Sequence, residues 1–327
     1  MKLSISAPAD TAARVRADRL RAGRLSAGRL SADRLSAGRL RLTLAAWLLI
    51  LPSLVLTITI IGYPFYEIVR LSISDVSRFG LVRGYAGLAN FSTVFADPIF
   101  RDALQRTLTW TVGVVGGTIV ASIPVALVLR RDFIGRGLAR TLIMLPWSIS
   151  LAMAAIVWLW AFNADYGMIN ATLQQFGVLR TSVQWMARPE TAFPVEILIG
   201  IIVSIPFTST ILLGGLSSIP DDVYEAASID GARRLQSFRH ITLPLLAPFI
   251  NIAIVLNVIS VFNSFPIIWV MTQGGPDNST HILVTYLYEL SFRLGRPGQA
   301  AAVSLAMLAI VFAFTFVYLR LRVPEEA

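Results

Sequence analysis

Cysteine is absent from the 327 residues, so neither a disulfide nor a thiolate metal site can form. Histidine occurs twice, at His240 and His281, too few for a histidine-rich metal cluster. Lys2 is the lone lysine, so a P-loop with its phosphate-gripping lysine is excluded and ATP is not bound by that device. Charge is scarce as well: 14% of residues are charged, where a soluble domain carries about 25%. Set beside 55% hydrophobic residues and a mean hydropathy of +0.69, this excludes an ordinary soluble protein and points to several bilayer-spanning segments.

The net charge of +9 is local. Residues 1–42 hold ten basic side chains against three acids, Asp10, Asp18 and Asp33, and the rest of the chain is nearly balanced. The basic character therefore belongs to an arginine-rich tail, not to a nucleic-acid-binding face. Within the tail, RADRL, RAGRL, SAGRL, SADRL and SAGRL follow one another over residues 16–40. Five residues advance a helix by about 500°, so Leu20, Leu25, Leu30, Leu35 and Leu40 do not share a stripe. Two readings stand: a polybasic arm drawn to anionic membrane lipid, and a low-complexity extension that contributes only topology. The missing stripe favours the second.

Six uncharged windows follow: Leu42–Tyr66, Thr107–Leu129, Thr141–Ala164, Ile197–Pro220, Ile241–Pro276 and Pro297–Leu319. Each exceeds the ~20 residues that a helix needs to cross the hydrocarbon. In the fifth, Pro244 and Pro248 near one end and Gly274-Gly275-Pro276 at the other predict a helix over about Leu245–Met271. Six transmembrane helices are expected in an all-α membrane protein, with residues 1–42 as a tail and 43–327 as the membrane domain (core roughly 103–320). Alternate loops sort the basic residues 19 against 9, which places both termini and residues 217–244 in the cytoplasm. Without the tail the two sets are level, so Arg130, Arg131, Arg136 and Arg140 in one short loop matter most. A cleaved signal peptide is the competing reading of the first window, but the run is too long for one and no clear small-x-small site follows. No fixed charge falls within a window, which disfavours a proton- or sodium-coupled relay of buried carboxylates.

The segment between the fourth and fifth windows has its own logic. Ser218 is a candidate cap, Pro220 suits a first helical turn, and Asp221 and Asp222 complement a helix N-terminus. A short helix is expected to about Ile229, with Gly231 permitting a sharp turn. A second short amphipathic piece with Arg233, Arg234 and Arg239 leads into the fifth span. Two short helices at an angle would make a docking knob; an ordinary interfacial loop is the plainer alternative.

Glu225-Ala226-Ala227, three residues, Gly231, nine residues, Ile241, one residue, Leu243-Pro244 resembles the EAA loop of ABC-importer permease subunits at every motif position. Asn163–Asn170, Met271–Pro276 with Ser279-Thr280, and Asp97-Pro98 with Ala103-Leu104 are similar to segments of the maltose- and glycerol-phosphate-type carbohydrate permeases. The resemblance covers roughly residues 45–320. One departure is Phe265-Pro266, where many relatives carry no proline, leaving the bend of the fifth span open.

That resemblance implies the type I importer permease fold and a multi-pass place in a bacterial inner membrane. It further implies sugar transport without catalysis by this chain. Its partners would be a second homologous permease, two ATPase subunits and an extracytoplasmic solute-binding protein. No cofactor is implied on the chain itself, with magnesium-ATP held by the ATPases. By the same resemblance Glu225 makes polar contact with the ATPase, Ala226 and Ala227 allow close approach, and Gly231 is the bend. Asp230, Ile241, Leu243 and Pro244 complete the coupling set.

Polar side chains inside a span are costly and usually face a pathway or another helix. Asn257, Ser260 and Ser264 fall at i, i+3 and i+7, one helical face, with Asn263 just off it. The fourth span offers Ser204, Phe207 and Thr208–Thr210 around Pro206. Amides and hydroxyls with an aromatic face suit a sugar, and the family offset nominates Ser204, Phe207, Asn257, Ser260 and Ser264 for the solute path. Helix–helix glue is the alternative role. A permease for a polyamine or peptide remains the runner-up. A secondary transporter is disfavoured by the EAA loop, and a membrane-embedded enzyme by the missing nucleophile–base set.

Because the tail can build no core, deleting residues 2–35 should leave solute uptake per inserted chain unchanged, Arg39 and Arg41 holding the orientation. Lost uptake by a correctly inserted, shortened chain would assign the tail a role in transport.

Overall fold

The computed structural model describes residues 47–322. The readings of the tail and of the extreme C-terminus lie outside them. The described residues form two units, 47–67 and 68–322. The first is most of helix α1 (Trp47–Ser72), which widens into one π turn at Ile58–Gly62.

The second unit continues from Ile68. A hairpin, β1 (Ser74–Val76) with β2 (Val82–Tyr85), pairs antiparallel with a bulge at Asp75/Val76. Helix α2 (Ala89–Ala96) follows, and its Asn90 Nδ2 donates to the Ser72 and Ser74 carbonyls. Apart from this hairpin the described chain is helical, in line with an all-α membrane fold.

Helix α3 (Pro98–Arg130) extends the second window at its N-terminal end. Asp97 caps it, Oδ1 accepting from Ile99 N at 2.9 Å, with Pro98 in the first turn where no N–H is missed. The other carboxylate oxygen takes the Tyr286 hydroxyl at 2.6 Å, and burial together with Asp97 pushes that phenol well above its ordinary range.

The third window is not one straight helix. α4 (Arg136–Met144) and α5 (Leu151–Ala161) meet at 93° through a 3-10 turn at Pro146–Ser148. Pro146 lacks the donor that would continue the ladder, and Ser150 caps α5. Among the described residues five helices are long and apolar enough to cross a membrane, six when this bent pair counts as one span.

After the short α6 (Met168–Gln175) comes α7 (Pro189–Ser217), which begins before the expected window and runs unbroken through Pro206. α8 (Asp221–Ile229) is the expected short helix. Its cap differs: Ser218 Oγ bonds back to the Gly215 carbonyl, and the N-cap residue is Pro220. The second short piece is not separate, because Arg234 begins a helix, α9 (Arg234–Phe262), that includes a π turn at Phe238–Thr242 and continues as the fifth span.

α9 stops at Phe262, well short of Met271, and α10 (Phe265–Met271) is a new helix. Pro266 has no N–H for the Phe262 carbonyl, and Phe265 N turns to Asn263 O at 2.8 Å. The Val261 carbonyl accepts both Ser264 N at 3.1 Å and the indole Nε1 of buried Trp110 at 3.0 Å. The chain then passes α11 (Leu283–Tyr288), whose Leu283 N donates to Thr107 Oγ1 on α3, and ends in α12 (Pro297–Arg322).

The apolar interior concentrates where α3, α7, α9 and α10 meet, around Trp110, Val114, Ile199, Val203, Val258 and Ile268. A second cluster joins α2, α11 and α12, and a third lies at the Arg130 end of α3.

Trp110→Phe keeps most of the ring but removes the donor on the Val261 carbonyl. It should cost about 1–3 kcal/mol, the range for disturbing a buried polar pair. A lowered thermal midpoint of the purified protein, with Trp110→Leu lower still, is the expected result.

Candidate functional site

Five side chains expected on the solute path line one cavity of about 130 Å³: Ser204, Phe207, Asn257, Ser260 and Ser264. Asn263, expected near them, does not. It follows the last residue of α9, is exposed, and donates to the Ile259 carbonyl.

The cavity exists because of the two breaks. The bend between α4 and α5 brings in Trp147, Ile149 and Leu151, and the interruption between α9 and α10 brings in Ser264 and Ile267. Trp147 stacks on Phe207 with ring centroids 5.7 Å apart and planes 12° from parallel. Trp110 and Val114 close the side formed by α3. Gly200 admits them, since a Cβ there would lie 2.8 Å from Val114 and 3.0 Å from the Trp110 ring. The three residues Trp110, Trp147 and Gly200 escape a reading of uncharged windows, which treats each span as a straight rod. Pro146, immediately before Trp147, is the signal that could have shown the bend carrying Trp147; Trp110 and Gly200 have no such signal.

No charged side chain lines the cavity. Asn257 Nδ2 donates to Thr208 Oγ1 on α7 at 2.9 Å and to the Ala253 carbonyl at 2.8 Å. It therefore ties α9 to α7 while its Oδ1 is left to accept. Ser204 Oγ donates to the Gly200 carbonyl at 2.7 Å and keeps lone pairs for a donor. Thus Asn257 combines the glue and the lining roles that sequence alone left as alternatives. The arrangement offers hydroxyls, an amide oxygen and a flat aromatic pair to an uncharged polar molecule.

An ionisable side chain does lie in a span. Glu196 falls inside α7, fully buried, with Oε1 accepting from Thr272 Oγ1 at 2.8 Å and Oε2 without a partner. The expectation of spans without carboxyl side chains fails because α7 starts at Pro189, a full two turns before the uncharged window. Absence of intramembrane charge is thereby removed as an argument against ion-coupled transport. Thr272 also meets Thr280 Oγ1, whose hydroxyl reaches the Gly275 carbonyl. The 272–281 loop is completed by His281, which is buried beside Gly274 and reaches Thr285 Oγ1. Burial holds its imidazole below the ordinary value; Glu289 opposes this, and Arg106 and Arg293 reinforce it.

The 163–170 motif is a second staple. Asn163 Oδ1 accepts from Asp165 N and Tyr166 N, and Asn170 bonds Val183 through N–H and carbonyl and accepts from Trp185 Nε1 at 3.0 Å.

In the 217–244 segment, Glu225, Ala226 and Asp230 are exposed and Ala227 is half-buried. Gly231 has φ +80°, Gly231 N donates to Ser228 O, and Ala232 N donates to Ala227 O at 2.9 Å. This is the paired bonding of a Schellman motif, which closes α8 and turns the chain. Open space surrounds a Cβ at Gly231, so the glycine answers a backbone angle and not close packing within this chain. Ile241 and Leu243 are half-buried and Pro244 exposed at the start of the straight part of α9. Exposed Ile229 and Leu235 flank the bend.

With this geometry in view, residues 113–322 match the family described as binding-protein-dependent transport system inner membrane component. The chain is 58% identical over 280 residues to a probable ABC transporter permease protein of Brucella suis, covering 86% of this chain and 97% of that one. It is 33% identical to the sulfoquinovosyl glycerol transport system permease protein of Agrobacterium fabrum, covering 85% and 90%. Among solved structures, a chain of a bacterial alginate ABC transporter in complex with an alginate pentasaccharide-bound periplasmic protein superposes with a TM-score of 0.71. That match is 23% identical and covers 84% of this chain and 92% of the other.

A left-handed residue is required at 231, so Gly231→Asn should retain the bend, whereas Gly231→Leu carries a strain of about 1–2 kcal/mol. Uptake is expected to fall for the leucine variant with membrane insertion intact and to persist for asparagine. Near-normal uptake with leucine would count against the bend.

Proposed function

This chain belongs to the family of binding-protein-dependent transport system inner membrane components, and from that premise we propose how it works. It is an integral inner-membrane, non-catalytic permease subunit of an ABC transporter for sugar-type solutes. In our reading the solute arrives from an extracytoplasmic binding protein and passes through the cavity between α3, α7 and α9. Residues 217–244 face the cytoplasm, as do both termini, and dock on an ATPase that holds magnesium-ATP. A second homologous permease and a second ATPase complete the complex within the lipid bilayer.

The observation that carries the solute path is the convergence of Ser204, Phe207, Asn257, Ser260 and Ser264 on one uncharged cavity, with Trp147 stacked on Phe207. A pyranose presents hydroxyls at its rim and C–H groups on its face. The Asn257 amide oxygen and the serine hydroxyls suit the rim, and the aromatic pair suits the face. For coupling, support comes from α8 itself: its Glu225 and Ala226 are exposed, and Gly231 holds the turn that projects them.

Both halves are testable in one system, because a chain without cysteine gives an introduced thiol no competitor. Ala227→Cys should crosslink to the co-expressed ATPase and resist membrane-impermeant reagents added outside; labelling from outside would overturn the orientation and the docking role. Asn257→Ala and Ser264→Ala should change uptake of two related sugars unequally, each lost hydrogen bond being worth about 0.5–1.5 kcal/mol. A uniform loss that follows complex yield would remove these residues from the path.

A further inference from the structure

α8 contains no buried residue, so a small number of contacts decides where it sits. Those contacts converge on Tyr224. Its ring packs against the apolar cluster that includes Ala126 of α3 and Leu246 of α9. The Arg130 guanidinium lies over the ring at 4.6 Å, while Nη2 of the same arginine reaches Asp221 Oδ1 at 2.8 Å and the Ile219 carbonyl at 3.2 Å. At the far end of the ring the Tyr224 hydroxyl is 3.1 Å from Thr242 Oγ1, which is buried in the π turn of α9.

We infer that Tyr224, clamped between Arg130 and Thr242, is the positioning residue that transmits movement of α8 to α3 and α9. The inference rests on the reading of residues 217–244 as the ATPase-docking segment. Asp221 is largely exposed, and an exposed ion pair adds little stability. The consequence of the arrangement is therefore directional. A cation over a ring and a hydroxyl pair at its tip fix the ring in two directions at once. A displacement of α8 then has two rigid outlets, the end of α3 at Arg130 and the start of α9 at Thr242. Along α9, Thr242 lies about 27 Å from Ser260 in the cavity, at 1.5 Å per residue. One continuous helix joins the clamp to the cavity wall.

π turns recur at functional sites because the extra residue per turn loosens the ladder locally. Here the widened turn, Phe238–Thr242, presents the hydroxyl that α8 grips.

The test uses the full complex with its ATPase and second permease, carrying Ser260→Cys as the single thiol in this chain. The labelling rate by N-ethylmaleimide is compared with and without nucleotide trapped by ATP and vanadate. In this parent, trapping should change the rate. Tyr224→Phe, which keeps the ring and removes the hydroxyl, and Thr242→Val should shrink that change about two- to tenfold. Thr242→Ser should restore it, and the double variant should be no worse than either single one. The amount of trapped nucleotide and the complex yield should stay constant, a separation that a merely structural role would not produce.

An unaltered response in both Tyr224→Phe and Thr242→Val overturns the inference, as does a loss that tracks complex yield. So does a parent whose thiol does not respond while Ala227→Cys still crosslinks. Failure of that crosslink in an assembled complex instead overturns the docking reading on which the inference stands.

Discussion

A backbone inside a bilayer must satisfy its polar groups within the protein, and this fold is organised around the place where it interrupts that ladder. Pro266 cannot donate to Phe262, so α9 ends at Phe262 and α10 begins at Phe265. The Trp110 indole shares the Val261 carbonyl beside that gap. Trp110 reaches it because Gly200 lets α3 and α7 approach, and the space beside the interruption is the cavity. Remove the proline, and the helix would close over the position that Ser264 now opens.

At the end of the described bundle that holds the 163–170 and 272–281 segments, buried polar staples fix the loops. Asn170 binds Val183 and Trp185, Thr272 binds Glu196, and Asp97 ties the start of α3 to Tyr286. The three weaker sequence motifs thus have a structural role at this level: each supplies the side chain that satisfies a loop backbone or a helix terminus. Glu196 stands apart, because its second oxygen has no partner and the nearest group to its first is a hydroxyl. The position lies within α7 but outside the cavity lining, and its one hydrogen bond ties it to the 272–281 loop.

Much of this was legible in the amino-acid sequence, and the reasons are local. Uncharged runs locate the spans because charge in hydrocarbon is costly, and helical spacing placed Asn257 and Ser260 on one face, whereas Ser264 lies beyond the end of α9 and reaches the cavity through the break. Gly231 was readable as a turn because only glycine takes φ +80° without strain. Straightness was the hidden assumption. A window of apolar residues does not say whether its helix is whole, so the 93° bend at Pro146–Ser148 went unread. Phe265-Pro266 left the fifth span open to a bend without giving the gap at Asn263–Ser264. Asn263, read as just off the polar face, lies outside the cavity lining. Glu196 was missed for the opposite reason. A window ends at the first charge, whereas a helix ends where its hydrogen bonds do, and a neighbouring threonine lets the helix carry a carboxyl inside. Pairs far apart in the chain, such as Arg130 with Tyr224 or Trp147 with Phe207, have no signature in the sequence.

The remaining question is how one chain can hold both the proposed solute site and the proposed docking site. α9 answers it by being both. Its first turns carry Thr242 against α8, and its last turns carry Asn257 and Ser260 into the cavity. A helix transmits axial displacement well because its ladder is stiff, but only as far as it is continuous. The gap at Ser264 therefore sets a limit: α9 can shift or rotate without dragging α10, which is packed through Phe265 and Trp269 on Tyr288. An uninterrupted fifth helix would join the 217–244 segment to the 272–281 loop as one rod. The interruption ends that rod at the cavity wall, and Pro266, which opens the cavity, also separates α9 from the loop beyond it.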